Sequence, residues 1–487
     1  MSGPVSSALG RPKRAFNATT GNSSSLAEGR TLEVAGENCS SDLVPPPGDW
    51  AWLGSTPEPF ARWLESKTAH SRVLSVERPA RGRVDVRQSP GYLTPAPLEQ
   101  LTEALQELGT PCELVLPDGR VCPFGVGAAE FSVVLRNELP LSRPITDLSL
   151  AQAYVNGDID VEGDVITALG LRDLLPFAVP VRQLLRLVGE LLLPPTVANA
   201  RAIEFHYSLG SDFYLTFLDH DYHFYSQCLF HSEHETLEQA AGHKFESMWS
   251  ALGLQPGMRL LDIGGGWGPV PAHAGNRGVH VTSLTLTHDS ADYMRRSTRD
   301  CAVPPEILVE DILDHYPREP YDHIAILGVI EHVPNYRRFC ERAWAALRPG
   351  GRLYVDSSAT REKHALTTFT RQYTWHGPHS CLALPDLVEE LLFHGFEVLN
   401  VRQETHDYEL TMRHWAQRFD AAHREIAERW SEELYRAFRV FLWGGVHGFK
   451  TNRLQAYTLV AERRADAGPR PGNLRRLAHF LASTVSR

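Results

Sequence analysis

The sequence predicts an α/β fold, a parallel sheet covered by helices on both faces, with a smaller α+β domain ahead of it. Three observations predict this. An apolar strand runs directly into a glycine-rich turn at Leu261-Asp-Ile-Gly-Gly-Gly-Trp-Gly268. Further short apolar runs follow it at helix-length spacing, the alternation that builds a parallel sheet. Residues from about Pro95 to Leu171 carry a different, compact mixture: a helix near Leu98 to Leu108, strand-like runs at Cys112 to Leu116 and Glu130 to Leu135, and a short helix at Leu150 to Gly157 with a glycine stop.

Met258 to Ile263 reads as a buried strand. Gly264, Gly266 and Gly268 remove the side chains that would keep a ligand from the backbone, and a helix is expected from Trp267 to about Asn276 despite two prolines. Glycine turns of this kind also bring pyrophosphate to a helix N-terminus in dinucleotide folds, but Gly-x-Gly-x-Gly is one residue tighter. Asp262 places a carboxylate beside the turn, which suits an ammonium or sulfonium group better than a phosphate. The turn therefore reads as a loop for S-adenosylmethionine. Val279 to Leu286 is the second strand, followed by a helix to about Asp300. Ile307 to Val309 with Glu310 and Asp311, then Tyr321 to Leu327, then Gly351 to Asp356 complete the set, the last launched by an Arg348-Pro-Gly-Gly351 turn.

The chain has 487 residues, enough for two or three domains with proper cores. A formal charge of -11 argues against a general binder of nucleic acid or anionic membranes, while leaving room for local basic patches. Seven cysteines without paired spacing suit a reducing compartment. No signal peptide and no run of about twenty apolar residues is visible, Val181 to Leu193 being the nearest, so a cytoplasmic protein is expected. Residues 1–90 read as a disordered leader, clearest over the first 45. A mixed domain at 95–178, a linking helix at 179–203, the main domain at 204–464 and a basic amphipathic tail at 465–487 follow. Leu474 to Val485 of that tail could rest on lipid, giving peripheral contact at the inner membrane face, or could simply pack on its own domain. His220, Asp221 and His223 lie close in sequence, as do His231 and His234. Neither set has the helical His spacing or cysteine pairing of a zinc site, so no metal is expected.

Several separated motifs carry a family resemblance. They are Phe205-His-Tyr-Ser-Leu-Gly-Ser-Asp-Phe-Tyr214 with Phe217-Leu-Asp219, Phe224-Tyr-Ser226, the glycine turn, Val281-Thr-Ser-Leu-Thr-Leu286 and Ile330-Glu-His-Val333. Asp407-Tyr-Glu-Leu-Thr-Met-Arg-His-Trp415 and Gln455-Ala-Tyr-Thr-Leu-Val460 extend it, and Leu148 to Asp160 adds the N-terminal domain. From about residue 113 to 463 the chain resembles the cyclopropane fatty acid synthases and mycolic acid cyclopropane synthases, S-adenosylmethionine-dependent methyltransferases with a Rossmann-like class I domain. The resemblance implies that the alkene of a lipid acyl chain takes the sulfonium methyl, leaving a carbocation that loses a proton. It implies that Tyr225, Ser226, Asp262, Gly264, Gly265, Gly266, Trp267 and Gly268 hold the methionine part of the cofactor. Thr285, Leu286 and Ser290 would hold the ribose, and Asp311 and Ile312 the adenine. Asp311 also reads as a plain strand-end carboxylate, and Thr285 as an ordinary strand residue.

The resemblance further implies a bicarbonate base held by a Cys, a Glu, a His and a Tyr. Glu331 and Tyr408 match, but the Cys position is Gln227 and the His position is Asp356, which puts bicarbonate in doubt. Ser358 and Gly445 also depart from the pattern, and Cys228 could substitute only with a change of register. Three readings of Asp356 stand: it replaces the ion and shares a proton with Glu331; the cation ends as a methyl-branched or exomethylene product; or Asp356 only caps a turn. Phe213, Tyr214 and Phe217 read as core or acyl-pocket lining, His206 and Tyr207 as shaping the pocket mouth, and His332 as a proton carrier or, more often for such a position, a structural histidine. Three functions stay open: alkylation of an unsaturated lipid, alkylation of a small unsaturated metabolite, and non-catalytic lipid binding. A homodimer is compatible with all three.

Overall fold

The computed structural model describes residues 95–177, 203, 206–361, 367–375 and 381–465. The leader, nearly all of the linking helix with its Val181–Leu193 stretch, and the tail beyond Ala465 lie outside the described residues. The first sheet has four strands, β1 (Cys112–Val115), β2 (Val121–Phe124), β3 (Phe131–Leu135) and β4 (Ile159–Gly163), in the order β2-β1-β3-β4. The Pro95–Leu108 helix lays Leu98, Leu101, Ala104 and Leu105 on this sheet, where they join Leu114 and Val133 in a core of their own. The Asp147–Val155 helix begins with a reciprocal Thr146/Ser149 capping box, and Gly157 after it takes a left-handed φ of 79°. The strand-like runs at 112 and 130 are β1 and β3. The sequence reading missed β2, which is largely exposed, and β4.

The second sheet holds β5 (Arg259–Ile263), β6 (His280–Thr285), β7 (Glu306–Val309), β8 (Tyr321–Leu327), β9 (Leu347–Ala359), β10 (Phe396–Gln403) and β11 (Gln455–Arg463). Its order is β10-β11-β9-β8-β5-β6-β7. The expected strands are present and mutually parallel, but β11 runs antiparallel to β9 and β10 antiparallel to β11, so the sheet is mixed. The fifth strand also needs correcting. Arg348-Pro-Gly-Gly351 is a bulge inside β9: the register with β8 jumps from Tyr321 opposite Leu347 to His323 opposite Arg352, and Gly350 turns with φ 78°. The helix after the glycine turn spans Pro269–Asn276. Its first proline sits at N1, where no backbone donor is missed.

Strand order reverses between β5 and β8, and such a switch point opens a crevice at the carboxyl ends of the strands. The small sheet is tied to the rest through the Glu432–Lys450 helix. Arg436 pairs with Asp160 at 2.8 Å, and Arg439 donates to the Tyr154 hydroxyl at 2.7 Å. Phe213, Tyr214 and Phe217 are fully buried in the core beneath this helix. The six described cysteines are free thiols, and among the described residues no helix is long and apolar enough to cross a membrane.

Candidate active site

The first cavity, about 80 Å3, lies at the switch point. Gly264, Gly266, Trp267, Thr285, Leu286, Ser290, Asp311 and Ile312, all among the residues that the resemblance assigns to the cofactor, line it together with Ile203, Tyr207, Glu310, Val329, His332 and Pro334, which it does not. Gly264 has φ 80°, and a Cβ there would fall 2.3 Å from Val329 Cγ2, so the β5 turn can approach the end of β8 only without a side chain. Ser290 Oγ donates to the Gly266 carbonyl at 2.6 Å, tying the His288–Ser297 helix, which follows β6, to the turn. Asp311 accepts from the Leu313 amide at 2.9 Å, and burial raises its pKa.

Four other expected cofactor residues sit behind this wall rather than in it. Asp262 is buried and accepts from Ser283 Oγ at 2.7 Å, and desolvation lifts it to about 7. Gly265 covers that pair, since a Cβ there would meet Ser283 Oγ, and Gly268 backs onto Met294. Ser226 is buried, accepts from Lys244 Nζ and packs under Gly328. These residues shape the turn from beneath. The carboxylate expected beside a sulfonium is thus committed to a strand neighbour, because β5 and β6 turn Asp262 and Ser283 toward the same layer.

The second cavity is larger, about 380 Å3, and shares Tyr207 and His332 with the first. Its walls come from the small sheet and its helices (Leu150, Tyr154, Val161), from the ends of β8 and β9, and from the Glu432–Lys450 helix at Gly444, Gly445 and Gly448. Tyr225, Glu331, Ser358, Trp375, Cys381 and Tyr408 gather at one end. Tyr225 therefore faces this chamber and not the smaller one. Glu331 Oε1 accepts from the Ser358 amide at 2.8 Å and from Ser358 Oγ at 3.0 Å, whereas its Oε2 is buried without a hydrogen-bond partner. Desolvation outweighs those bonds and raises Glu331 to about 7. Burial likewise keeps the Tyr408 and Tyr225 phenols protonated and pushes the Cys381 thiol up to about 12. His332, lowered to about 4, and His206, lowered to about 3, stay neutral by desolvation. His206 spans Thr374 O at 2.9 Å and the Tyr225 hydroxyl at 3.2 Å, and so orients that tyrosine.

Two expected catalytic residues are not part of this chamber. Asp356 lines neither cavity: Lys244 Nζ lies 3.0 Å from its Oδ2, and the Gly328 amide donates to its Oδ1 at 2.9 Å. Gln227 is buried and donates its amide to Glu404 at 3.2 Å. Cys228 is core, its amide bound to Thr411 Oγ1. Of the four positions that the resemblance assigns to bicarbonate, only Glu331 and Tyr408 line the chamber. The residues present do not compose an anion cradle, and the buried oxygen left without a hydrogen-bond partner on the chamber's lining, Glu331 Oε2, is itself a carboxylate's. Lys244 and Glu404, the partners that turn Asp356 and Gln227 away, lie 112 residues before Asp356 and 177 after Gln227, with no local signal to mark them.

Fold and site together place the chain among S-adenosylmethionine-dependent methyltransferases. More narrowly, it belongs to the mycolic acid cyclopropane synthetase family, whose model matches residues 196–459. A probable fatty acid methyltransferase of Pseudomonas putida is 28% identical over 390 residues, covering 75% of this chain and 95% of its own. The cyclopropane-fatty-acyl-phospholipid synthase of Escherichia coli is 26% identical, covering 71% of this chain and 91% of its own. Cyclopropane mycolic acid synthase MmaA2 of Mycobacterium tuberculosis is 31% identical, covering 50% and 90%. The solved MmaA2 structure superposes with a TM-score of 0.51 over 54% of this chain and 98% of that one.

Proposed function

We propose that the protein transfers a methyl group from S-adenosylmethionine to a carbon-carbon double bond of an unsaturated fatty acyl lipid, with Glu331 as the base. The observation that carries this reading is Glu331 Oε2, a buried, unpartnered carboxylate oxygen on a residue lining a large, mainly apolar chamber next to the cofactor cavity. The smaller cavity fits the cofactor: its glycine turn leaves room for close backbone approach, and the buried Trp267 indole N–H on its wall lacks an acceptor. When bound, S-adenosylmethionine supplies an electrophilic methyl group.

An alkene is a weak nucleophile, so the protein's contribution is to hold it dry and in line. Tyr207 and His332 line both cavities, and an acyl chain in the larger chamber would meet the cofactor beside them. Methylation of one alkene carbon leaves positive charge on the other. Tyr225, Tyr408 and Trp415 line the chamber, and their ring quadrupoles would stabilise a cation there. Glu331 Oε2 then accepts a proton. If it leaves the added methyl, the C–H pair closes a cyclopropane; if it leaves the methylated chain carbon, the pair becomes the double bond of a methyl-branched chain. A pKa near 7 suits a base at neutral pH, and Ser358 holds the other oxygen so that Oε2 stays free. No step is routed through bicarbonate.

The test is mass spectrometry of lipids from cells expressing the full chain and fed methyl-labelled methionine. A labelled gain of one methylene on unsaturated acyl chains, absent with Glu331→Gln, supports the reading, and NMR of the product tells the ring from the branch. Unlabelled lipids from cells holding folded, cofactor-binding protein would refute it.

A further inference from the structure

The Leu237–Leu252 helix and the segment leading into it bring together a set of side chains that the methyl-transfer reading does not use. We propose that His231, Glu235 and His243 form a binding site for a divalent first-row transition metal ion, zinc foremost, separate from both cavities. None of the three lines either cavity.

One ligand atom from each residue lies within 4.8 Å of the others, and His243 Nδ1 is 3.5 Å from Glu235 Oε2. Zinc bound at about 2.0–2.2 Å with tetrahedral geometry sets its ligand atoms roughly 3.3–3.5 Å apart, so that pair already has the spacing of one edge of the polyhedron. His243 Nδ1 is buried without a hydrogen-bond partner, although a histidine nitrogen so placed ordinarily finds one. The Glu235 carboxylate is oriented through its Oε2, which accepts from the His231 backbone N–H at 2.8 Å. The imidazoles of His231 and His243 stack at 3.8 Å with 15° between their planes, and because an imidazole ligates in its ring plane, the exposed His231 ring would turn to bring both lone pairs onto one ion.

Two imidazoles and one carboxylate suit zinc, cobalt or nickel, whereas magnesium and calcium call for oxygen ligands throughout. His231 is exposed, which gives an ion access from solvent and leaves a coordination position for water. The spacing His-x3-Glu-x7-His spans a turn and a helix, so it matches no helical His pattern. His234, the neighbour that stands out in the sequence, is not in the group. A bound ion would clamp the segment after Tyr225 to the helix that carries Lys244, a stabilising role outside the chemistry.

The experiment uses the untagged full chain stripped with chelator and then titrated with Zn2+, Co2+ and Mg2+. The expected result is one Zn2+ or Co2+ per chain, a visible Co2+ band of low-symmetry coordination, and a Tm raised by several degrees with Zn2+ and unchanged with Mg2+. His231→Ala and His243→Gln should weaken binding at least tenfold and remove the Tm rise, with His234→Ala behaving as the parent. Because His231 is exposed, His231→Ala should match the parent's Tm without metal, which separates lost binding from misfolding. Failure of the parent chain to bind Zn2+ stoichiometrically, or equal binding by His231→Ala, would overturn the proposal.

Discussion

Lys244 Nζ sits 3.0 Å from Asp356 Oδ2 with side chains 2% and 1% exposed, so this acid of β9 is ion-paired inside the protein. Burial raises the Asp356 pKa and Lys244 opposes that rise. The same ammonium donates to Ser226 and rests 4.5 Å from the Phe224 ring centroid, so one buried cation joins the Leu237–Leu252 helix, β9 and the segment that carries Tyr225.

Lys244→Met would leave Asp356 buried and uncompensated, and should cost about 3–5 kcal/mol of stability. Adding Asp356→Asn should recover part of that loss. In an otherwise native chain, Asp356→Asn should lower the denaturant midpoint while preserving turnover per folded molecule. Loss of turnover at unchanged stability would instead assign Asp356 to the chemistry.

The pH dependence should follow Glu331. As a base it works only when ionised, so kcat/KM should rise with pH through about 7, and Ser358→Ala, which removes one bond to Oε1, should move that rise to higher pH. The stability sign is opposite. With its pKa lifted from 4.5 to about 7, the native state holds a proton that the unfolded chain releases, so the contribution is present below about 4.5 and lost as pH rises through 7. Glu331→Gln should therefore be inactive yet gain on the order of 3 kcal/mol relative to the parent between pH 5 and pH 9, as read by chemical unfolding.

Cofactor affinity should depend on the absence of a side chain at Gly264. Gly264→Ala places a Cβ 2.3 Å from Val329 Cγ2 at a φ that alanine adopts only under strain. Calorimetry with S-adenosylhomocysteine should show affinity weakened by roughly ten- to a hundredfold at unchanged helical content; full affinity would mean that the turn can move away.

Chain-length selectivity should depend on Gly444. Nothing lies within 4 Å of a Cβ built there, and the residue lines the large chamber. Gly444→Leu should fold normally and lower kcat/KM for long acyl substrates roughly tenfold relative to short ones. Gly445 gives a contrast, because a Cβ there would meet Met412 Cε at 2.2 Å. Gly445→Leu should therefore lose stability as well, which thermal unfolding would show.

What the sequence alone determined is what local pattern encodes. Apolar runs of strand length and glycines where φ is positive or backbones approach defined β5 to β9 and the glycine turn at Gly264 and Gly266, and the family resemblance pointed to the acid Glu331. The direction in which a side chain points is not local. Asp356 and Gln227 stand at positions that the resemblance assigns to the reacting centre, yet Lys244 and Glu404, brought up from distant elements, turn them away from it. Only tertiary structure could decide this, because a buried charge settles wherever a partner compensates its lost hydration. The same holds for the chamber, whose walls join the small sheet to the Glu432–Lys450 helix, segments nearly 300 residues apart that meet through Arg436 and Asp160.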